Sequence, residues 1–161
     1  MIGIMSDSHD NLNMVREAVR LFNDSCCGLV LHAGDFVAPF AAQELSGLHC
    51  PVKAVYGNCD GEKQGLKREI SGIGQINDAP FFFKYEGLNF LLMHVPYEIK
   101  RAARSGKYHF ILYGHTHRPE IFKESGVICI NPGETGGWVT GKSTAVLLDE
   151  KTMDAEIVCL G

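Results

Sequence analysis

The chain has 161 residues, 45% hydrophobic and 21% charged, enough for one buried core and too apolar for a disordered tail. Lys plus Arg total 15 against 19 for Asp plus Glu, a formal net charge of -4. That balance argues against affinity driven by counterion release from nucleic acid, though not against a small phosphate-bearing substrate. No apolar run approaches the ~18 residues of a bilayer span, so no membrane partner is expected, and MIGIMSDSHDN meets Asp7 too early for a signal peptide. Six cysteines, at positions 26, 27, 50, 59, 129 and 159, show no CxxC spacing. The expectation is a reduced, cytoplasmic protein with one domain over residues 1–161.

The run MIGIMSD reads as a buried strand ending at Asp7. Asn11 can cap a helix whose apolar positions Leu12, Val15, Val19 and Phe22 form one stripe. GLVLHAGD is a second strand ending at Asp35, Pro39 to Leu45 suits a short helix, and PVKAVYGNCD is a third strand ending at Gly57-Asn58. Strands alternating with helices predict a parallel sheet. The stretch Gly61–Ala79 predicts a short helix plus loop. Phe81–Tyr85 and Asn89–Met93 then predict a hairpin turning at Glu86-Gly87. A helix is expected over Tyr97–Arg104, closed by Gly106, and a strand over His109–Tyr113. Two further strand pairs follow, Glu120–Lys123 with Val127–Ile130 and Thr144–Leu148 with Glu156–Leu160. The expected class is α/β, two packed mixed sheets with helices outside.

Polar residues fall at the ends of these apolar runs: Asp7 and His9, Asp35, Asn58, His94, and His115 with His117. The carboxyl ends of parallel strands share an edge where ligands bind. In an extended segment, the i, i+2 spacing of Asp7-x-His9 and His115-x-His117 would point both side chains one way. Seven oxygen and imidazole donors at one edge suit a pair of divalent ions, which clamp the attacking and leaving oxygens of a displacement at phosphorus. With no thiolate needed, such a set favours Mn, Fe, Co, Ni or Zn over Ca or Mg. Each residue alone has a plainer reading: Asp7 or Asp35 as a turn or cap, Asn58 as a left-handed turn residue, a single His as a hydrogen-bonded side chain. His32 could orient a ligand from behind or be an ordinary strand histidine, and both readings stand at this point. His49 and His109 read as ordinary.

Asp7-Ser8-His9, Gly34-Asp35, Gly57-Asn58-Cys59-Asp60, His94 and Gly114-His115-Thr116-His117, in this order, resemble the five signature blocks of the calcineurin-like metallophosphoesterases. Within them the chain is similar to the small single-domain prokaryotic phosphodiesterases, and Asn131-Pro132-Gly133-Glu134 resembles a loop of that subfamily. The resemblance implies a four-layer α/β/β/α sandwich of two mixed sheets flanked by helices. It also implies a dinuclear metal-dependent phosphodiesterase acting on small or aryl phosphodiesters by in-line attack of a metal-bridging hydroxide. By the same resemblance, Asp7, His9, Asp35 and His117 hold one ion and Asp35, Asn58, His94 and His115 the other. Mn is expected first, with Ni, Co, Fe or Zn as alternatives, and Asp35, Asn58, His94, Cys59 and Asp60 form the catalytic set. A homo-oligomer is compatible with the family. A phosphomonoesterase and a non-catalytic scaffold, as in the retromer subunit on this fold, are the alternatives.

Two departures from the family stand out. Its third block often carries His where this chain has Cys59, a weak proton donor without fixed charge, so substrates with good leaving groups are expected. After His94 the subfamily often reads Gly-His, whereas this chain has Val95-Pro96, which alters contacts to substrate. Gly136–Ser143 matches the phosphate-loop pattern GxxxxGK[ST], but a strand-like segment follows where that motif needs a helix. The match is accidental.

Overall fold

Alternation of apolar and small residues in the first run gives β1 (Ile2–Met5). In the computed structural model, which describes residues 1–161, β1 lies inside a six-stranded sheet. It pairs in parallel with β2 (Leu29–His32), and β2 in parallel with β3 (Val52–Val55). The crossovers are α1 (Leu12–Asp24) and α2 (Pro39–Gln43), the latter continued by a 3-10 turn over Glu44–Gly47. Asn11 caps α1 by accepting from the Met14 N–H at 3.4 Å. The stripe Val15, Ala18, Val19 and Phe22 is buried against the sheet. Each fully buried large apolar side chain contributes about 1.5–3 kcal/mol.

The stretch expected to be helix plus loop contains a strand as well. After α3 (Lys63–Ser71) comes β4 (Gly74–Asn77), parallel to β3 at the sheet's edge. Its sequence, GQIN, holds one apolar side chain, so no alternation marks it. Pairing depends instead on the backbone, since a Cβ at Gly74 would collide with the Val52 carbonyl. On the opposite side the sheet closes with antiparallel β10 (Thr144–Asp149) and β11 (Asp154–Cys159).

The second sheet begins with the expected hairpin, β5 (Phe81–Tyr85) and β6 (Leu88–Leu92). Glu86 and Gly87 turn it with φ of 48° and 78°. β6 runs parallel to β7 (Phe110–Leu112), β7 parallel to β9 (Val127–Asn131), and β8 (Glu120–Glu124) pairs antiparallel with β9. Between β6 and β7, α4 (Ile99–Arg104) begins two residues later than expected, after Glu98 takes a left-handed conformation.

Three apolar cores separate four layers. One lies under α1, α2 and α3, and the second between the sheets, where Phe83, Phe90 and Phe110 stack at 5.1 and 4.9 Å. The third lies under α4 on the outer face of the second sheet. This is the four-layer sandwich of two mixed sheets that the resemblance implies. No helix is long and apolar enough to cross a membrane.

Candidate metal centre

The seven donors come together, but from two sheets rather than from one edge. Asp7, Asp35 and Asn58 follow β1, β2 and β3, whereas His94, His115 and His117 follow β6 and β7. The loops after β1 and β2 run side by side: the N–H of Asp7 donates to Gly34 O at 2.9 Å and that of His9 to Asp35 O at 3.1 Å. The expected extended i, i+2 arrangement does not hold. Asp7, His9, Asp35, His115 and His117 all have positive φ, between 40° and 68°. Left-handed turns, in which Asp and His are more frequent than most residues, aim these side chains, not strand pleating.

Within the cluster, Asp35 occupies the middle. His9 Nε2 lies 3.6 Å and His94 Nε2 3.4 Å from Asp35 Oδ2. On one side, Asp7 Oδ1 stands 3.8 Å from His9 Nε2 and 3.3 Å from His117 Nε2. On the other, Asn58 Oδ1 lies 2.8 Å from both His94 Nε2 and His115 Nδ1. Three donor groups, Asp7–His9–His117, His9–Asp35–Cys59 and Asp7–Asp35–His94, each keep their ligand atoms within 4.8 Å of one another. Cys59 therefore reaches a donor set in which no thiol was expected. Asp7 Oδ1 and His9 Nε2 are buried with no hydrogen-bond partner. Such orphaned polar atoms are costly unless a cation completes them, so the residues present fit a metal centre.

The donors are held by bonds that cross between loops. Asp7 Oδ2 accepts from Ser6 Oγ at 2.6 Å and from the His115 N–H at 3.0 Å. Asp35 Oδ1 accepts from the Cys59 N–H at 2.8 Å, and Gly57 makes room, since a Cβ there would collide with the Asp35 side chain. His94 Nδ1 donates to Ala33 O at 2.8 Å, which leaves Nε2 facing inward.

Asp60, expected in the catalytic set, lies beneath the Asp35 loop. Its carboxylate is buried and occupied by backbone: Oδ2 accepts from Asp35 N at 3.0 Å and Gly57 N at 2.7 Å, and Oδ1 from Val37 N at 2.8 Å. Val37 has φ of 84°, a strained value for a β-branched residue, and Asp60 holds it there. These bonds tie Asp60 to the Asp35 loop and position it.

His32 is also settled as a support. Fully buried beneath the loops, it accepts the Gly34 N–H at Nδ1 (3.1 Å), pairs with Ser8 Oγ at 3.2 Å, and stacks on Phe36 at 3.6 Å. Nothing in its sequence position distinguished this from an ordinary strand histidine. Glu134, which the sequence marks only as part of the loop Asn131-Pro132-Gly133-Glu134, accepts from His117 Nδ1 at 3.0 Å and orients that ring. Its other bonds come from the N–H groups of Val139 and Thr140. These lie inside the phosphate-loop look-alike, so that loop binds an internal carboxylate and leads into β10.

Electrostatics follow from this crowding. Asp7, then Asp35, raise the His9 pKa against the cost of burial. Burial works to lower the His94 pKa, but the adjacent Asp35 overcomes it and the pKa is raised. Burial opposes ionisation of Asp35, yet His94 and the Cys59 N–H hold its pKa well below the ordinary carboxylate value. Partial desolvation, then the Asp35 carboxylate, push the Cys59 thiol up to about 11, so it stays neutral.

The sequence profile of the calcineurin-like phosphoesterase superfamily domain matches residues 1–153. The chain belongs to the calcineurin-like phosphoesterase superfamily. Membership carries phosphoester hydrolysis dependent on divalent metal ions. The chain is 40% identical over 162 residues to a protein of Methanocaldococcus jannaschii named a phosphodiesterase, covering 98% of each. A solved structure described as a novel archaeal phosphodiesterase superposes with a TM-score of 0.94 at 36% identity, over 99% of both chains. Vps29 of Chaetomium thermophilum superposes with a TM-score of 0.72 over 98% of this chain and 94% of its own, at 15% identity. That likeness extends to the fold alone.

Proposed function

We propose that this calcineurin-like phosphoesterase is a cytoplasmic phosphodiesterase that acts on small or aryl phosphodiesters with two divalent cations, Mn first. The observation that carries this reading is the pair of donor sets meeting at Asp35, with Asp7 Oδ1 and His9 Nε2 buried and unpartnered. Asp7, His9 and His117 would complete one cation site with Asp35, and Asn58, His94 and His115 the other. Asp35 would thus be the shared anionic ligand that lets two like charges sit close together. When bound, the cations would neutralise phosphoryl oxygens and lower the pKa of a water to about 7.

The protein's own contribution is to hold this arrangement before substrate arrives. Glu134 and the Ala33 carbonyl fix the orientation of His117 and His94. Cys59 lies beside Asp35 as a neutral thiol, a poor proton donor to a departing alkoxide, so aryl esters should turn over faster than alkyl ones. The 40% identity to a protein named a phosphodiesterase supports the same class. The test is to strip metal with a chelator, then assay bis(p-nitrophenyl) phosphate with and without added Mn while counting bound metal. Hydrolysis restored by Mn, with two ions per chain, is expected. A chain that binds no Mn, or binds it without hydrolysis, overturns the reading.

A further inference from the structure

A cavity of about 620 Å³ opens beside Asn58 and His94, sharing both with the metal centre. That volume is within the ~300–1,000 Å³ range of small-ligand pockets. It exists because α4 has only six residues and covers part of the second sheet's outer face. Leu91 and Met93 form its apolar floor, and Tyr97 and Tyr108 stand on its walls. Tyr108 is braced edge-on by Phe82 at 5.8 Å, whereas Tyr97 is 74% exposed and pairs with no other ring. The departure after His94 falls here too: Val95 lines the cavity and is 48% exposed, where the subfamily often has Gly followed by a second His. The mouth is nearly balanced in charge, since Arg101 pairs with Glu98 at 3.0 Å; Lys107 adds one cation.

We propose that this cavity is the subsite for an aromatic arm of the substrate, aryl or nucleobase-bearing, which stacks on Tyr97 while its phosphoryl group sits at Asn58 and His94. The inference rests on the phosphodiesterase reading for its substrate, but its geometry is independent of turnover. An apolar floor with one free tyrosine ring suits a flat aromatic group.

Phenylphosphonate and methylphosphonate each carry one organic arm and no leaving group, so their binding to the Mn-loaded protein can be compared by calorimetry. The phenyl compound should bind about tenfold more tightly. That advantage should shrink severalfold in Tyr97→Ala and persist in Tyr97→Phe, which keeps the ring. Equal affinities, no binding of either, or an advantage untouched by Tyr97→Ala would overturn the subsite. Hydrolysis of bis(p-nitrophenyl) phosphate by the same preparation reports the activity separately. Its loss with the phenyl preference intact would overturn the activity alone, and the converse the subsite alone.

Discussion

The two sheets bring different chemistry to their common rim. The first supplies two carboxylates, an amide and one imidazole, Asp7, Asp35, Asn58 and His9; the second supplies only imidazoles, His94, His115 and His117. They are also held differently. The carboxylates accept backbone N–H groups, from His115 and Cys59, while His94 and His117 donate to the Ala33 carbonyl and to Glu134. The second sheet's His115 braces the first sheet's Asp7, and the first sheet's Ala33 braces the second sheet's His94. Neither half of the centre is complete, or fixed in position, without the other.

The sharpest way to break this comparison is to remove the shared charge. Asp35→Asn should lower kcat by about a thousandfold or more with Mn present; near-normal turnover and metal content would show that no bridging carboxylate is needed. Next, Asp60→Ala takes the acceptor from three N–H groups of the first sheet's loops, one buried and two half-buried. It should cost about 3 kcal/mol in urea-denaturation stability, and a smaller effect than in a solvent-exposed control would mean that the loops hold their left-handed turns unaided.

On the second sheet, Glu134→Gln weakens the orientation of His117 without touching the first. Mn affinity by titration should fall about 10–100-fold, with little change in stability. The last effect, confined to acid, concerns His32, whose imidazole burial holds down at about 3 against an ordinary 6.5. Between those values the unfolded chain binds a proton that the folded chain excludes. Metal-free protein should therefore lose about 1.4 kcal/mol per pH unit from this group as pH falls from about 6.5 towards 3. His32→Gln should flatten that limb when urea midpoints are plotted against pH, and an unchanged slope would exclude His32 as its cause.

Much of this was readable before any coordinates, for identifiable reasons. β1, β2 and β3 are short apolar runs ending in polar residues, so their ends mark themselves. The phenylalanine-rich hairpin and its Glu86-Gly87 turn are equally local signals. β4 was not legible, because GQIN pairs through backbone and a missing side chain rather than through hydrophobicity. The roles of Asp60 and His32 were not legible either, since an Asp beside a motif looks the same in sequence whether it meets solvent, substrate or three amides. The spacing of Asp7 and His9 suggested that they act together but gave the wrong backbone for it, because period-two reasoning applies only where the chain is extended. The cavity depends on how little of a sheet one short helix covers, a property of packing and not of any residue.

The look-alike loop from Gly136 to Ser143 carries one more lesson. Its amides converge on an anion, as the pattern promises, but that anion is covalently part of the chain, the side chain of Glu134. The protein thus carries a built-in counterpart of a bound oxyanion, and the socket is already filled. Trimming that side chain to alanine would leave an empty receptacle for small free carboxylates, so added formate or acetate would stand in for it and steady the His117 ring again.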